Sequence, residues 1–234
     1  MKNAGVNKTM NEDNKIKPAK NCTDSKKPLF IVFEGLDGSG KSTQIKLLSK
    51  RMEEKCRRVY VTAEPTISAT GGLIRDSLNG SFKRTSCELA GMFLADRIAH
   101  NASPINGIRK FLQDGSDVIC DRYYYSSFAY QGTDEDSLKW VIESNLNCPE
   151  IIKPDLCIFL DADPISCQER MQGRAVLEIY EDSTEKLAQT RKKFFNVFER
   201  LKNIENIRIV NASNPAELVA EDVFKEVNSL LERA

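Results

Sequence analysis

The sequence predicts an α/β protein built on a five-stranded parallel sheet with helices on both faces, and three observations carry that prediction. From residue 29 onward, short β-rich apolar runs alternate with longer amphipathic stretches. Four of the five runs are almost continuously apolar instead of alternating, as strands covered on both faces must be. The stretches between them are long enough for helical crossovers, which take a right-handed course between parallel strands.

The elements follow in order. Residues 1–28 contain no aromatic residue and seven lysines against Glu12, Asp13 and Asp24. Such a segment cannot offset the entropy of ordering and is expected to be a disordered, lysine-rich tail. Its lack of arginine and its acids count against a mitochondrial transit peptide. One domain is expected over residues 29–234. Its strands are "LFIVFE" (29–34), "RVYVT" (58–62), "DVICD" (117–121), "DLCIFLD" (155–161) and "IRIVN" (207–211). Helical spacing of apolar residues, such as Ile45, Leu48 and Met52, predicts helices over 41–55, 86–113, 134–145, 164–172, 184–202 and 215–232. Trp140 is expected to be a packing residue.

Bulk composition narrows the function. Lys plus Arg and Asp plus Glu both total 34, so the chain as a whole makes no electrostatic case for nucleic acid or an anionic membrane. No apolar run approaches the length of a membrane span. The seven cysteines are scattered without C-x-x-C spacing and His100 is the single histidine, so a zinc site is not expected. Cys120 and Cys157 lie in apolar runs and read as core thiols. With no secretory apolar region, the cytoplasm is the expected compartment, and the lysine-rich tail also permits the nucleus.

The first strand runs into Gly35-Leu-Asp-Gly-Ser-Gly40-Lys41-Ser42, which fits G-x-x-x-x-G-K-[ST] and makes the fold one of P-loop NTPase type. Its glycines reach positive φ and let the backbone close around a phosphate at a helix N-terminus, where the dipole favours an anion. Contacts to a nucleoside triphosphate are therefore expected along the loop at Gly35, Asp37, Gly38, Ser39, Gly40, Lys41, Ser42 and Thr43, with Lys41 on the β- and γ-phosphates and Ser42 on Mg²⁺. This loop serves motors, switches and kinases alike. No N-K-x-D follows a strand to mark a guanine switch, and a large motor would need more chain.

A third run ends in Asp121-Arg122 at the carboxyl edge of the sheet, where ligands bind in such folds. Asp121 can support Mg²⁺ or its water, and Arg122 can face a second phosphate. In "GMFLADRIAH", Phe93 and Arg97 stand four apart on one helical face, a ring and a guanidinium able to hold a base and its phosphate together.

Taken together and in order, "FEGLDGSGKSTQ", "EPT", "LADR", "DRYYYSSFAYQG", "KPDLCIFLDADP" and "YE" resemble the thymidylate kinase family. The resemblance covers about residues 29–230. It implies transfer of the γ-phosphoryl of ATP to dTMP, giving dTDP and ADP. It also implies that Phe93 stacks the thymine and that Arg97 and Arg122 hold the dTMP phosphate. Ser126, Tyr130 and Gln131 would recognise the pyrimidine, Tyr180 would disfavour a ribose 2′-hydroxyl, and Arg75 in "GGLIRDSL" is a further candidate contact. "NASNP" resembles the loop that lines the adenine, and a lid is implied over about 168–182. The family is typically a homodimer, with the apolar segment 86–99 a candidate interface.

Phosphoryl transfer requires two polyanions in line and neutralisation of the transferred charge. The phosphate loop here carries no arginine, so the lid must supply one, from Arg170 or Arg174. Two positions depart from the family pattern: Ala63 stands before Glu64 where arginine is common, and Ile179 precedes Tyr180 where the lid usually carries arginine. Both remove positive charge. Another nucleotide kinase with a different acceptor, or a nucleotide-binding regulator with little turnover, are the competing readings.

Overall fold

The computed structural model describes residues 27–171 and 183–232. Five strands form one all-parallel sheet: β1 (Phe30–Gly35), β2 (Val59–Ala63), β3 (Asp117–Asp121), β4 (Leu156–Asp161) and β5 (Ile207–Asn211). Their spatial order is β2-β3-β1-β4-β5. Every residue of β1 is buried, as are the first four of β3 and the first five of β4, which is why these runs are apolar without alternation. The edge strand β2 mixes exposed and half-buried positions, and β5 does the same apart from the buried Val210.

Nine helices lie among the described residues: α1 (Lys41–Glu54), α2 (Ala69–Leu78), α3 (Ser86–Ala102), α4 (Ile108–Gln113), α5 (Tyr124–Gln131), α6 (Glu135–Leu146), α7 (Pro164–Met171), α8 (Thr184–Leu201) and α9 (Ala216–Leu231). The single helix expected over 86–113 is in fact two. Ser103 leaves the helix, Pro104 cannot donate a backbone hydrogen bond, and a Cβ on Gly107 would stand 2.3 Å from the Ser103 carbonyl oxygen. Two further helices, α2 and α5, form outside the expected ones. The Ser68 hydroxyl caps α2 by accepting from the Gly71 N–H at 3.3 Å. Helix α5 is buried nearly all round, so its sequence shows no polar face to set a period.

Two apolar layers sandwich the sheet. One packs Ile45, Leu48 and Met52 of α1 and Val219 and Val223 of α9 on β1 and β4; the other packs Tyr124 and Phe128 of α5 and Phe194, Val197 and Phe198 of α8. Each such side chain contributes about 1.5–3 kcal/mol by leaving water. Cys120 and Cys157 are fully buried, and burial pushes both thiols well above their ordinary pKa. Trp140 departs from expectation: it is 43% exposed on α6.

At the amino edge of the sheet, Asp117 accepts Arg57 Nε at 2.5 Å and Nη2 at 2.6 Å, and also the Leu29 N–H at 2.8 Å, tying β1, β2 and β3 together. Register carries this alignment to the opposite edge, pairing Phe33 with Asp121 and Asp121 with Ala63. The carboxyl ends of three strands therefore open on one place, directly beside the loop after β1. No described helix is long and apolar enough to cross a membrane.

Candidate active site

The loop between β1 and α1 has the backbone its glycines predict. Gly38 and Gly40 take φ values of 80° and 96°, in the left-handed region. Gly40 caps α1 without any side-chain hydrogen bond, which leaves the first N–H groups of the helix available to an anion. Lys41 Nζ folds back to donate to the Gly35 and Leu36 carbonyls at 3.0 Å each, and stands 3.6 Å from Asp37. The ammonium is thus held at the mouth of the loop.

A cavity of about 340 Å³ opens above this loop, lined by Asp37, Gly38, Gly40, Lys41, Ser42 and Thr43 together with Ala63, Glu64, Asp121, Arg122 and Arg170. A neighbouring cavity of about 300 Å³ brings Ser39, Thr43 and Arg170 against Asn214 and Ala216, so the segment expected to line an adenine does lie beside the phosphate loop. Asp121 Oδ1 is buried and has no hydrogen-bond partner among the described residues. With the Ser42 hydroxyl on the same cavity, that orphaned oxygen fits a hard cation or its water.

Arg122 turns the chain sharply at the end of β3, with φ 66°, an uncommon value for a side chain of this size. Its N–H donates to the Phe33 carbonyl at 2.9 Å, and its guanidinium donates to Asp37 at 2.5 Å and to Ser126 at 3.0 Å. On its other side lies a smaller cavity of about 110 Å³, lined by Glu64, Pro65, Leu78, Phe93, Arg97, Arg122, Tyr123, Ser126, Ser127, Tyr130 and Gln131. Five residues expected around a pyrimidine nucleotide, Phe93, Arg97, Ser126, Tyr130 and Gln131, are brought together here from α3 and α5. The Oε1 of Gln131, a residue only 2% exposed, has no partner within the described residues.

The model of the thymidylate kinase family matches residues 33–223. The chain belongs to the thymidylate kinase family. It is similar to a probable thymidylate kinase of Thermococcus gammatolerans, with 37% identity over 213 residues, 88% of this chain and 96% of the relative. A thymidylate kinase of Leptospira borgpetersenii is 37% identical over 195 residues, 83% of this chain and 91% of the relative. A probable thymidylate kinase of Pyrococcus horikoshii is 38% identical over 200 residues, 83% and 93% of the two chains. Membership makes the chain a nucleotide-binding transferase of nucleotide biosynthesis, a kinase that phosphorylates dTMP.

Against that family pattern the remaining expected residues fall in three places. Arg75 lies outside the cavity and donates to the Pro65 and Thr66 carbonyls at 3.1 and 2.6 Å. Arg170, exposed at the end of α7, reaches over the phosphate loop to donate to the Gly38 carbonyl at 3.2 Å. Arg174 and Tyr180 lie outside the described residues, as does the lid beyond Met171. Ala63 lines the cavity above the loop beside Arg122, so the arginine expected before Glu64 would have added charge directly to it.

Three buried acids that sequence reasoning did not single out organise the site. Glu34, at the end of β1, accepts the N–H groups of Tyr123 and Ser126 at 2.9 and 3.1 Å and the Ser126 hydroxyl at 2.6 Å. Burial raises its pKa, opposed by the Arg122 charge and by these hydrogen bonds. Glu64 pairs with Arg97, accepting Nε at 2.8 Å. Asp96 accepts the Thr66 N–H and the hydroxyls of Thr66, Ser68 and Thr70, all within 2.7–2.9 Å. Burial acts to raise the Asp96 pKa, but those hydrogen bonds outweigh it and the carboxyl stays below its ordinary value. The available signal was an acid closing an apolar run at Glu34 and acids flanking Pro65 and Arg97.

Proposed function

We propose that residues 35–42 hold the β- and γ-phosphates of ATP, and that dTMP occupies the adjoining cavity with its base on Phe93 and its phosphate at Arg122 and Arg97. The observation that carries this reading is that Arg122 and Glu64 line both cavities. One guanidinium therefore stands where donor and acceptor phosphates would meet. A phosphate oxygen of dTMP attacks the γ-phosphorus, the bond to the β,γ-bridging oxygen breaks, and ADP leaves. Lys41 and Arg122 neutralise charge on the transferred group and hold the two polyanions together in line.

Mg²⁺ would be held by Ser42 and Asp121, the latter directly or through water, and would supply neutralisation of the β- and γ-phosphate charge. Gln131 gives the base a buried acceptor, which suits the N3–H of thymine. Arg97 directs Nε and Nη2 to Glu64, Nη1 to Asn145 and Nη2 also to Ser127, which leaves one Nη1 N–H for the acceptor. Arg75 supports the loop carrying Pro65. Arg170 lies near enough to the phosphate loop to act on the donor, and Arg174 is the second lid arginine. Tyr180 is assigned to the sugar.

The same reading takes residues 29–234 as one domain and the assembly as a homodimer, with α3 in the interface. It assigns no nucleic-acid partner, and the compartment to the cytoplasm, with the nucleus as the alternative that DNA-precursor supply permits. Incubation with ATP labelled in the γ-phosphoryl group and with dTMP tests the central step. Label in dTDP supports it; label released only as inorganic phosphate, or retained in ATP, refutes it.

A further inference from the structure

Resting on the acceptor reading above, we infer that His100, the chain's single histidine, is a positioning residue for dTMP, acting through Glu64 on Arg97. The observation is a continuous line of side chains from the edge strand to the acceptor cavity. His100 lies on α3, only 7% exposed, with Nε2 2.7 Å from Thr62 Oγ1 on β2 and Nδ1 3.0 Å from Glu64 Oε1. The other Glu64 oxygen, Oε2, accepts Arg97 Nε at 2.8 Å and stands 2.7 Å from Nη2. Glu64 and Arg97 both line the acceptor cavity, whereas His100 and Thr62 line a separate groove outside it.

Chemistry fixes the direction of this line. An ionised carboxylate only accepts, so His100 Nδ1 carries the proton toward Glu64. In the neutral ring Nε2 is then an acceptor and the Thr62 hydroxyl donates a hydrogen bond to it. Glu64 thereby sets the tautomer and Thr62 completes it, His100 saturates one Glu64 oxygen, and the other oxygen is left to Arg97. Without the imidazole, a buried carboxylate oxygen loses its donor and the carboxylate can rotate to draw the guanidinium back from the cavity. Asn145 and Ser127 hold the far side of Arg97 and do not replace the contact on the Glu64 side.

The full-length untagged chain gives one histidine signal by nitrogen-15 NMR, which reads the tautomer without assignment. The expected state is the Nδ1–H tautomer, with a shift on adding dTMP and none on adding ATP; an Nε2–H ring, or a signal indifferent to dTMP, overturns the inference. By kinetics, His100→Leu should raise the KM for dTMP about tenfold with kcat and the KM for ATP within about twofold. His100→Asn places an amide N–H where Nδ1 stands and should restore most of the loss; equal effects of Leu and Asn would contradict a specific hydrogen bond. Thermal melts of both variants separate this from general destabilisation. Failure of the acceptor reading itself shows differently, as a wild-type KM for dTMP that Arg97→Ala does not change.

Discussion

Replacing Asp96 by alanine should destabilise the protein and loosen the acceptor cavity together. The carboxylate is 1% exposed and gathers one backbone N–H and three hydroxyls from residues 66–70. Removing it strands the Thr66 N–H, while the hydroxyls can turn partly to one another. A hydrogen bond to a charged group is worth about 1.5–3 kcal/mol, so a net loss of about 3 kcal/mol follows if only the backbone contact and one hydroxyl contact go unreplaced. For a chain of this length that lowers Tm by about 6–12 °C. Arg75 grips the same loop by the Pro65 and Thr66 carbonyls, so the loop should persist in a displaced form and the KM for dTMP should rise several-fold. The pH dependence has a fixed sign. Because the folded pKa lies below the ordinary value of 3.8, the stabilisation is complete above that value and is lost as pH falls through the folded pKa. Wild type and Asp96→Ala should therefore differ fully near neutrality and converge in acid. Calorimetry over a pH series measures this; a Tm difference under about 1 °C at neutral pH would refute the hydrogen-bond argument.

Other expectations concern the transfer itself. Phe93→Ala should raise the KM for dTMP about tenfold with little change in the KM for ATP, as loss of one base-stacking ring requires; initial rates over both substrates check it. Asp121→Asn should raise the Mg²⁺ concentration needed for half-maximal rate about tenfold, measured by magnesium titration at fixed ATP. Arg174→Ala should lower kcat about a hundredfold or more while leaving ATP binding by calorimetry nearly unchanged, as for a charge needed mainly in the transition state; unchanged turnover would move that role to Arg170.

Local signals were readable and distant ones were not. The phosphate loop is a contiguous stretch with its own backbone demands, and the buried strands are read from apolar continuity, so both were legible before folding. Helix α5 was hidden because Tyr124, Tyr125, Phe128 and Ala129 are buried on several sides, removing the polar face that marks a helix. The break between α3 and α4 turns on Ser103, Pro104 and Gly107, a turn signal inside an otherwise helical pattern. Glu34, Glu64 and Asp96 act on partners about 30 to 90 residues away, as in Arg97 with Glu64 and Ser126 with Glu34, and no short pattern announces such a pairing. Phe93 and Arg97 were suggested by helical spacing, but only the fold brings Ser126 and Gln131 of α5 opposite them.

The most direct measurement is ADP formation with Mg-ATP over a panel of dTMP, dUMP, dCMP, dGMP, AMP and thymidine. A rate with dTMP well above the others is the predicted result. Preference for another acceptor, or no acceptor-dependent rate in protein that still binds ATP, would contradict the assignment of the cavity between Phe93, Arg97 and Arg122 to dTMP.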